Sequence, residues 1–410
     1  MIYGIGDKPP FGKLLLFSLQ LMLSCFTATA LIGQICNVPL SGAFIGSGLA
    51  TIVYLIITKF QSPMYVSNSG AFVSPVLIAL QLGGATAVAI GGLVACIVYC
   101  IFGFIFIKID VRHIYKVLPK VLIGSITIVI GITLMSFIPS YIGNTGNVGI
   151  FIALVTALAI AFASHYFRGA LALFPFLIGT LVGYIISIPF GLVDFSVFED
   201  INFFTFPDLG FFHWRTLDIA IMPNIIILFV AFTVSAICEC LSDHAVLGNI
   251  IDIDLYKKPG LGRIFIGEGV ANLIGASSGQ LCQCSYGESV STIGFSKCAS
   301  VYATLGCAIF MISLGFIEPV QAFIASIPSC VIGGGTAMVL YGFIANSGIR
   351  TLQAVDFSNQ KNLIISSIVL SLGISGITIG NDIFQLSGTA LALIVGIVLN
   401  FILKEKLTKE

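Results

Sequence analysis

Three acidic residues lie where the chain is otherwise apolar. Glu239 and Asp243 fall in or at the end of one hydrophobic run, and Glu288 stands at the start of another. A charge in the bilayer costs about 3 kcal/mol or more on insertion scales, so carboxylates kept there tend to serve a function. Glu239 and Asp243 are four apart, one above the other on a single helix face. No Lys or Arg accompanies them within these runs. Their charge therefore has no ion-pair partner close in sequence. A carboxyl group that gains and loses a proton in such a place can couple movement of a solute to protons. Glu268 lies near the start of a further run and reads as an acid near a membrane face, where water can reach it. Asp243 has a similar bland reading, as a helix-end residue reaching water.

Other groups carry weaker signals. Phe72 and Tyr286 are aromatic; a lone aromatic in such a run usually packs, yet their place invites a role in stacking on a flat solute. Two Cys-x-Cys pairs flank the acids, Cys238 with Cys240 and Cys282 with Cys284. Alone they would suggest a soft metal. On a helix, however, residues two apart face different ways. Packing of small residues around a cavity is the simpler expectation, and neither a metal nor a cofactor is expected. His244, one of 4 histidines, adds no spacing motif.

These residues need elements to hold them, and composition says which. Of 410 residues 58% are hydrophobic and 9% charged, against about 25% charged in a soluble domain. Mean hydropathy is +1.09. Lipid is the solvent that fits, and in lipid the backbone must satisfy its own hydrogen bonds. The runs are long and continuous, suiting helices of roughly 20 residues. A net charge of +0 leaves no footprint for nucleic acid, and most of the 11 cysteines sit inside apolar runs as small hydrophobes. Lys8, Lys13 and Ala28-Thr29-Ala30 imitate a secretory signal. The next run follows at once, so the segment reads as a first transmembrane helix.

Apolar runs fall near residues 14–36, 40–60, 72–80, 84–108, 118–137, 147–167 and 170–190, then 219–241, 264–280, 286–296, 300–316, 327–348, 361–378 and 387–404. The expected fold is therefore an all-α polytopic membrane protein with fourteen transmembrane segments in two halves of seven. With both termini cytoplasmic, every Lys and Arg except Arg215 falls on the cytoplasmic side, as the positive-inside rule requires. The long outer loop, roughly 191–216, is acidic (Asp194, Glu199, Asp200, Asp208). Odd plus odd implies that the second half inserts inverted relative to the first. Three echoes in register agree: Ser69-Gly70-Ala71-Phe72 with Gln283-Cys284-Ser285-Tyr286, Leu118-Pro119 with Ile327-Pro328, and Ala170 to Leu173 with Ala390 to Leu393. Inverted repeats are a common transporter plan.

Spans three and ten are short, and each is entered through small polar residues: Ser67 to Gly70, and Gln280 to Gly287. Paired short spans in corresponding places point to a substrate site. A helix beginning at mid-membrane offers free N–H groups and a positive dipole end, which can grip a carbonyl oxygen.

Cys284-Ser285-Tyr286-Gly287-Glu288-Ser289-Val290, running to Ser296-Lys297, resembles the signature of the nucleobase–ascorbate transporter family, in its bacterial uracil-transporting branch. Asp7-Lys8-Pro9-Pro10, Ser69 to Pro75, Glu239 to Asn249, Lys258-Pro259-Gly260-Leu261, Gly348-Ile349-Arg350 and Asn362-Leu363 extend the match over essentially the whole chain. The resemblance implies short antiparallel strands before the half-helices of spans three and ten. It implies a core domain in 1–110 and 217–318, a gate domain in 111–192 and 319–410, and an extracellular loop at 193–216. It places Glu239 and Glu288 on the base by hydrogen bonds, with Phe72 and Tyr286 lining or stacking on it. Backbone at Phe72 and Gly287 would meet its polar edge. Asp243 and Glu239 become the proton-coupling pair, and Ala71, Ser289, Gln283 and Gln20 are secondary candidates. It implies import of a nucleobase, uracil first, by symport with protons or sodium, in a homodimer joined through the gate domain in the cell membrane.

The pattern departs in places. The usual Asn, Gly and Thr of the signature are Ser289, Ser291 and Ser296, and a span-one His is Leu21. Asp243 stands where uracil carriers have His, as in purine-type members, while Glu288 follows the uracil pattern. A xanthine or urate carrier is thus the first alternative. An anion transporter of the same architecture is the second, and a membrane enzyme or metal protein built on the Cys pairs is the third.

Overall fold

The computed structural model describes residues 1–108, 116, 119–136, 138–168, 175–199, 201–377, 379–380, 385–386 and 388–403. Arg112, Leu118, Ala170 to Leu173, Asp200, Lys404, Lys406 and Lys409 lie outside the described residues.

Long apolar helices dominate. In chain order they are α1 (Phe11–Ile35), α2 (Leu40–Ile57), α3 (Val73–Lys108), α4 (Lys120–Met135), α5 (Gly146–Tyr166), α6 (Pro175–Ser187), α7 (Met222–Ile251), α8 (Leu261–Gly279), α9 (Gly287–Ser296), α10 (Val301–Leu314), α11 (Glu318–Ser326), α12 (Ala337–Leu352), α13 (Gln360–Ile374) and α14 (Gly388–Ile402). Six stretches among the described residues are long and apolar enough to cross a membrane, and five further apolar helices have 10–17 residues. Outward faces are themselves apolar: Leu93, Ile97, Ile101 and Phe104 make an exposed stripe along α3. Water would penalise such a stripe, whereas lipid accepts it. The chain is a helical polytopic membrane protein.

Several boundaries differ from the hydropathy reading. Spans three and four form one helical run, broken at Gly83 and Gly84, where Gly84 has φ 61. The break falls where the two apolar runs were separated, and only glycine takes that left-handed turn without strain. Helix α7 continues ten residues past 241, carrying Asp243 and His244 inside the helix. Helix α11 was not anticipated; it begins with Glu318-Pro319 ahead of the run at 327.

Breaking a helix at membrane depth frees backbone donors and acceptors that lipid cannot satisfy. Here two strands resolve this. β1 (Val66–Asn68) pairs antiparallel with β2 (Gln283–Ser285), matching Val66 with Ser285, Ser67 with Cys284 and Asn68 with Gln283. Ser69 N–H to Cys282 O (2.9 Å) and Tyr286 N–H to Tyr65 O (3.1 Å) extend the ladder. Neither strand is rich in good β-formers, so buried polar side chains brace them. Thr51 Oγ1 donates to Val66 O (2.7 Å) and accepts from Val66 N–H (3.0 Å). Asn68 donates to Thr29 O (3.2 Å), and Gln283 Nε2 donates to Asn68 Oδ1 (2.9 Å). Buried networks of this kind specify one register.

Helices meet through small residues. On α3 and α8, a Cβ on Gly103 would come 3.0 Å from Gly262 O, and one on Gly262 would come 2.9 Å from Gly103 O. On α4 and α12 the same reciprocity joins Gly124 and Gly348 (3.0 and 2.7 Å). Without a hydrophobic drive between helices in lipid, such close backbone approach supplies the packing energy. The heaviest packing joins α8 to α2 and α3, α4 to α12, α10 to α1 and α2, and α5 to α6.

Candidate functional site

Each strand leads into a helix start. After β1, Ser69 caps a turn at Gly70–Phe72 by accepting from Ala71 N–H (3.2 Å), and α3 follows. After β2, Tyr286 occupies the cap position of α9, with Glu288 in the first turn. Both helix starts thus lie beside one strand pair, and a carboxylate in the first turn complements the positive dipole end.

Helix α7 packs against both starts and against β2. It brings Glu239 to the first of them: Ser69 Oγ donates to Glu239 Oε2 at 3.4 Å. Glu288 lies in the first turn of the second, α9, against which α7 also packs. Asp243 lies one turn beyond Glu239 on α7. Asp243 Oδ2 and Tyr286 Oη are buried without a hydrogen-bond partner. Orphaned polar atoms of this kind need a solute or water to satisfy them. A cavity of about 700 Å³ bounded by α7, α9 and α12 reaches Asp243 and Gly287, with Ser291, Phe343, Asn346 and Arg350 along its walls. Asn346 was not singled out from the sequence, and Arg350 entered it only within the Gly348-Ile349-Arg350 match; both lie on α12, far along the chain from either acid.

The aromatic candidates differ in situation. Phe72 is buried and stacks on Phe229 (centroids 6.1 Å apart, planes at 21°). Tyr286 is buried and meets Tyr65 edge-on at 6.2 Å. Their expected equivalence needs correction. The elements repeat at an offset of 217, from Val66 to Gln283 and from Gly70 to Gly287. The echo of Ser69 to Phe72 on Gln283 to Tyr286 runs at 214, three residues short. Tyr286 therefore matches Ser69 as a cap, and Phe72 sits one turn further along.

Among the secondary candidates, Ala71 lies in the capped turn. Gln20 is buried on α1 with Oε1 unpartnered. Ser289 and Gln283 are committed to structure. Ser289 Oγ donates to Tyr286 O (2.7 Å) and accepts from Tyr65 N–H (3.4 Å). Gln283 Nε2 is shared between Asn68 Oδ1 and Leu281 O. Two bland readings of acids also change. Asp243 is 7% exposed, two turns inside α7 rather than at its end, and Glu268 is fully buried with neither carboxylate oxygen hydrogen-bonded. Burial of Glu268 follows from α8 lying between α2 and α3, which a hydropathy profile cannot register.

Known proteins resemble this chain along its whole length. The profile of the Permease family matches residues 12–381. The uracil permease of Bacillus caldolyticus is 35% identical over 410 residues, covering 98% of this chain and 94% of that one. The uracil permease of Escherichia coli strain K12 is 33% identical over 415 residues, covering 98% and 94%. Among solved structures, the transmembrane domain of the cyanobacterial bicarbonate transporter BicA aligns with TM-score 0.58 at 14% identity, covering 97% of this chain and 100% of that one. The murine anion transporter Slc26a9 in its inward-facing state aligns with TM-score 0.66 at 11% identity, covering 97% and 68%. These two likenesses concern the fold alone.

Proposed function

We propose a transport reaction from one premise: the chain belongs to the Permease family of nucleobase–ascorbate transporters, and is a transporter rather than an enzyme. The solute is a nucleobase, uracil first, imported across the cell membrane by proton symport. The observation that carries this reading is that α7, bearing Glu239, packs on both helix starts, one tied to Glu239 through Ser69 and the other carrying Glu288 in its first turn.

The chemistry follows from what uracil offers. Its ring N–H groups stand beside carbonyl acceptors. An ionised carboxylate accepts from N–H, and a protonated one donates to C=O. Backbone N–H groups at Phe72 and Gly287 take the remaining carbonyl edge, and Phe72 and Tyr286 bound the ring. Any polar edge left unpaired costs about 1–3 kcal/mol, which is how the site rejects other bases. Fourteen spans in two inverted halves, with 1–110 and 217–318 as core and 111–192 and 319–410 as gate, give the machinery. Rocking of one against the other exposes the site alternately. The cavity reaching Asp243 and Gly287 supports an open path on one side. A homodimer through the gate domain completes the assembly.

An anion carrier is the competing reading, since the fold neighbours are described as bicarbonate and anion transporters. An anion would meet Glu239 and Glu288 at the helix starts, where it needs bare amides or a cation. A panel of uracil, xanthine, urate, bicarbonate and sulfate, scored by thermal shift and uptake with the purified protein, separates these. Stabilisation by uracil alone or with xanthine is expected; stabilisation by an anion and not by a base would defeat the reading.

Asp243 sits one helical turn from Glu239 and borders the cavity. It carries the proton while Glu239 holds the base. Asp243→Asn is expected to flatten the pH dependence of uptake while leaving base affinity largely intact. An unaltered pH profile in that variant would remove Asp243 from the coupling step.

A further inference from the structure

We propose that Cys240, His244 and Glu268 form a binding site for a divalent transition-metal ion of the zinc class. The three donor atoms lie within 4.8 Å of one another, and all three residues are buried. Cys240 and His244 stand four apart on α7, hence on one face, and Glu268 meets them from α8. His244 Nδ1 lies 3.6 Å from Cys240 Sγ.

Two observations point to a ligand. Both carboxylate oxygens of Glu268 are buried without a hydrogen-bond partner, an expensive state that a cation relieves. The far side of the imidazole is also held as metal-binding histidines are held. His244 Nε2 lies 2.6 Å from Tyr54 Oη, and Tyr54 gives its own proton to Ser62 Oγ at 2.9 Å. Nδ1 lies 2.8 Å from Cys240 O as well as beside the thiol, so it exchanges that carbonyl for the ion when metal binds. A second partner on the other ring nitrogen fixes tautomer and orientation at such sites.

Charge and donor type select the ion. Thiolate, carboxylate and neutral imidazole with a divalent cation sum to zero, so the cluster can be buried at membrane depth where its separate charges could not. One sulfur, one nitrogen and one oxygen donor suit zinc, whereas magnesium and calcium want oxygen alone. Three protein donors leave a fourth position open. The Cys-x-Cys pairs are not the site; one member of one pair joins residues that the pair motif does not include.

The test uses the full-length protein purified in detergent, loaded with zinc, gel-filtered and assayed for metal. About one zinc per chain is expected for the wild type and for Cys282→Ser, falling below roughly a tenth in Cys240→Ser and Glu268→Gln. Cobalt in place of zinc should give a thiolate charge-transfer band in the wild type. Loss of zinc binding confined to the two ligand variants supports the site. A wild type that retains no zinc, or ligand variants that retain as much as the wild type, overturns it. Should Cys240→Ser or Glu268→Gln fail to fold, the cobalt spectrum of the wild type decides: a missing thiolate band overturns the site as well.

Discussion

Glu239→Gln and Glu288→Gln are each expected to abolish uptake while leaving folded protein in the membrane. Glu288 stands in the first turn of α9, and Ser69, which caps the other helix start, donates to Glu239 of α7. Glutamine keeps the shape but presents an N–H₂ donor and only one acceptor. Against a ring N–H that exchange turns an attractive contact into a facing pair of donors. Losing a charge-assisted hydrogen bond and stranding its partner costs about 3 kcal/mol, or more than about a hundredfold in affinity. A neutral amide is cheaper to bury than a carboxylate, so folding should survive. Uptake in membrane vesicles, normalised to folded protein by size-exclusion chromatography, measures this. Wild-type uptake in either variant refutes the site.

Gly348→Val should lower the melting temperature sharply. A Cβ at Gly348 would lie 2.7 Å from Gly124 O and 2.8 Å from Ile128 N. Both are backbone atoms of α4, so neither can turn aside, and the branched valine adds two further methyl groups. Relief requires α4 and α12 to separate along the crossing that their reciprocal glycines create. Overpacking of this kind costs about 3 kcal/mol, a large share of the usual net stability. A fall of about 5 °C is expected in detergent-solubilised protein. An unchanged melting temperature would mean that the crossing is looser than drawn.

Much of the scaffold is legible from hydropathy, because lipid imposes long apolar runs and glycine marks the break at Gly83 and Gly84. What escapes hydropathy is polar residues that find partners inside the fold. Helix α7 reads as ending at 241, since Ser242, Asp243 and His244 are polar. In place, His244 bonds Tyr54, and Ser242 shares a hydrogen bond with Thr127 of α4. Glu268 reads as an acid near a membrane face, since nothing local shows that α2 and α3 enclose α8. The echo three residues out of step arises because similar small residues recur within each entry segment. Strand pairing across 217 residues sets the true correspondence. The acids, by contrast, announce themselves: a carboxylate in an apolar run is costly wherever it lies. The Cys240, His244 and Glu268 cluster is half readable, through the four-residue spacing on α7. Its third member is supplied by tertiary packing alone.

The most direct measurement compares equilibrium binding of uracil with that of uracil methylated at both ring nitrogens, on purified protein. Carboxylates that hold the base by accepting from its N–H groups should bind uracil and lose the dimethyl compound by more than about a hundredfold, with no thermal stabilisation by the latter. Equal binding of the two compounds would contradict the account, because the acids would then play no part in holding the ring.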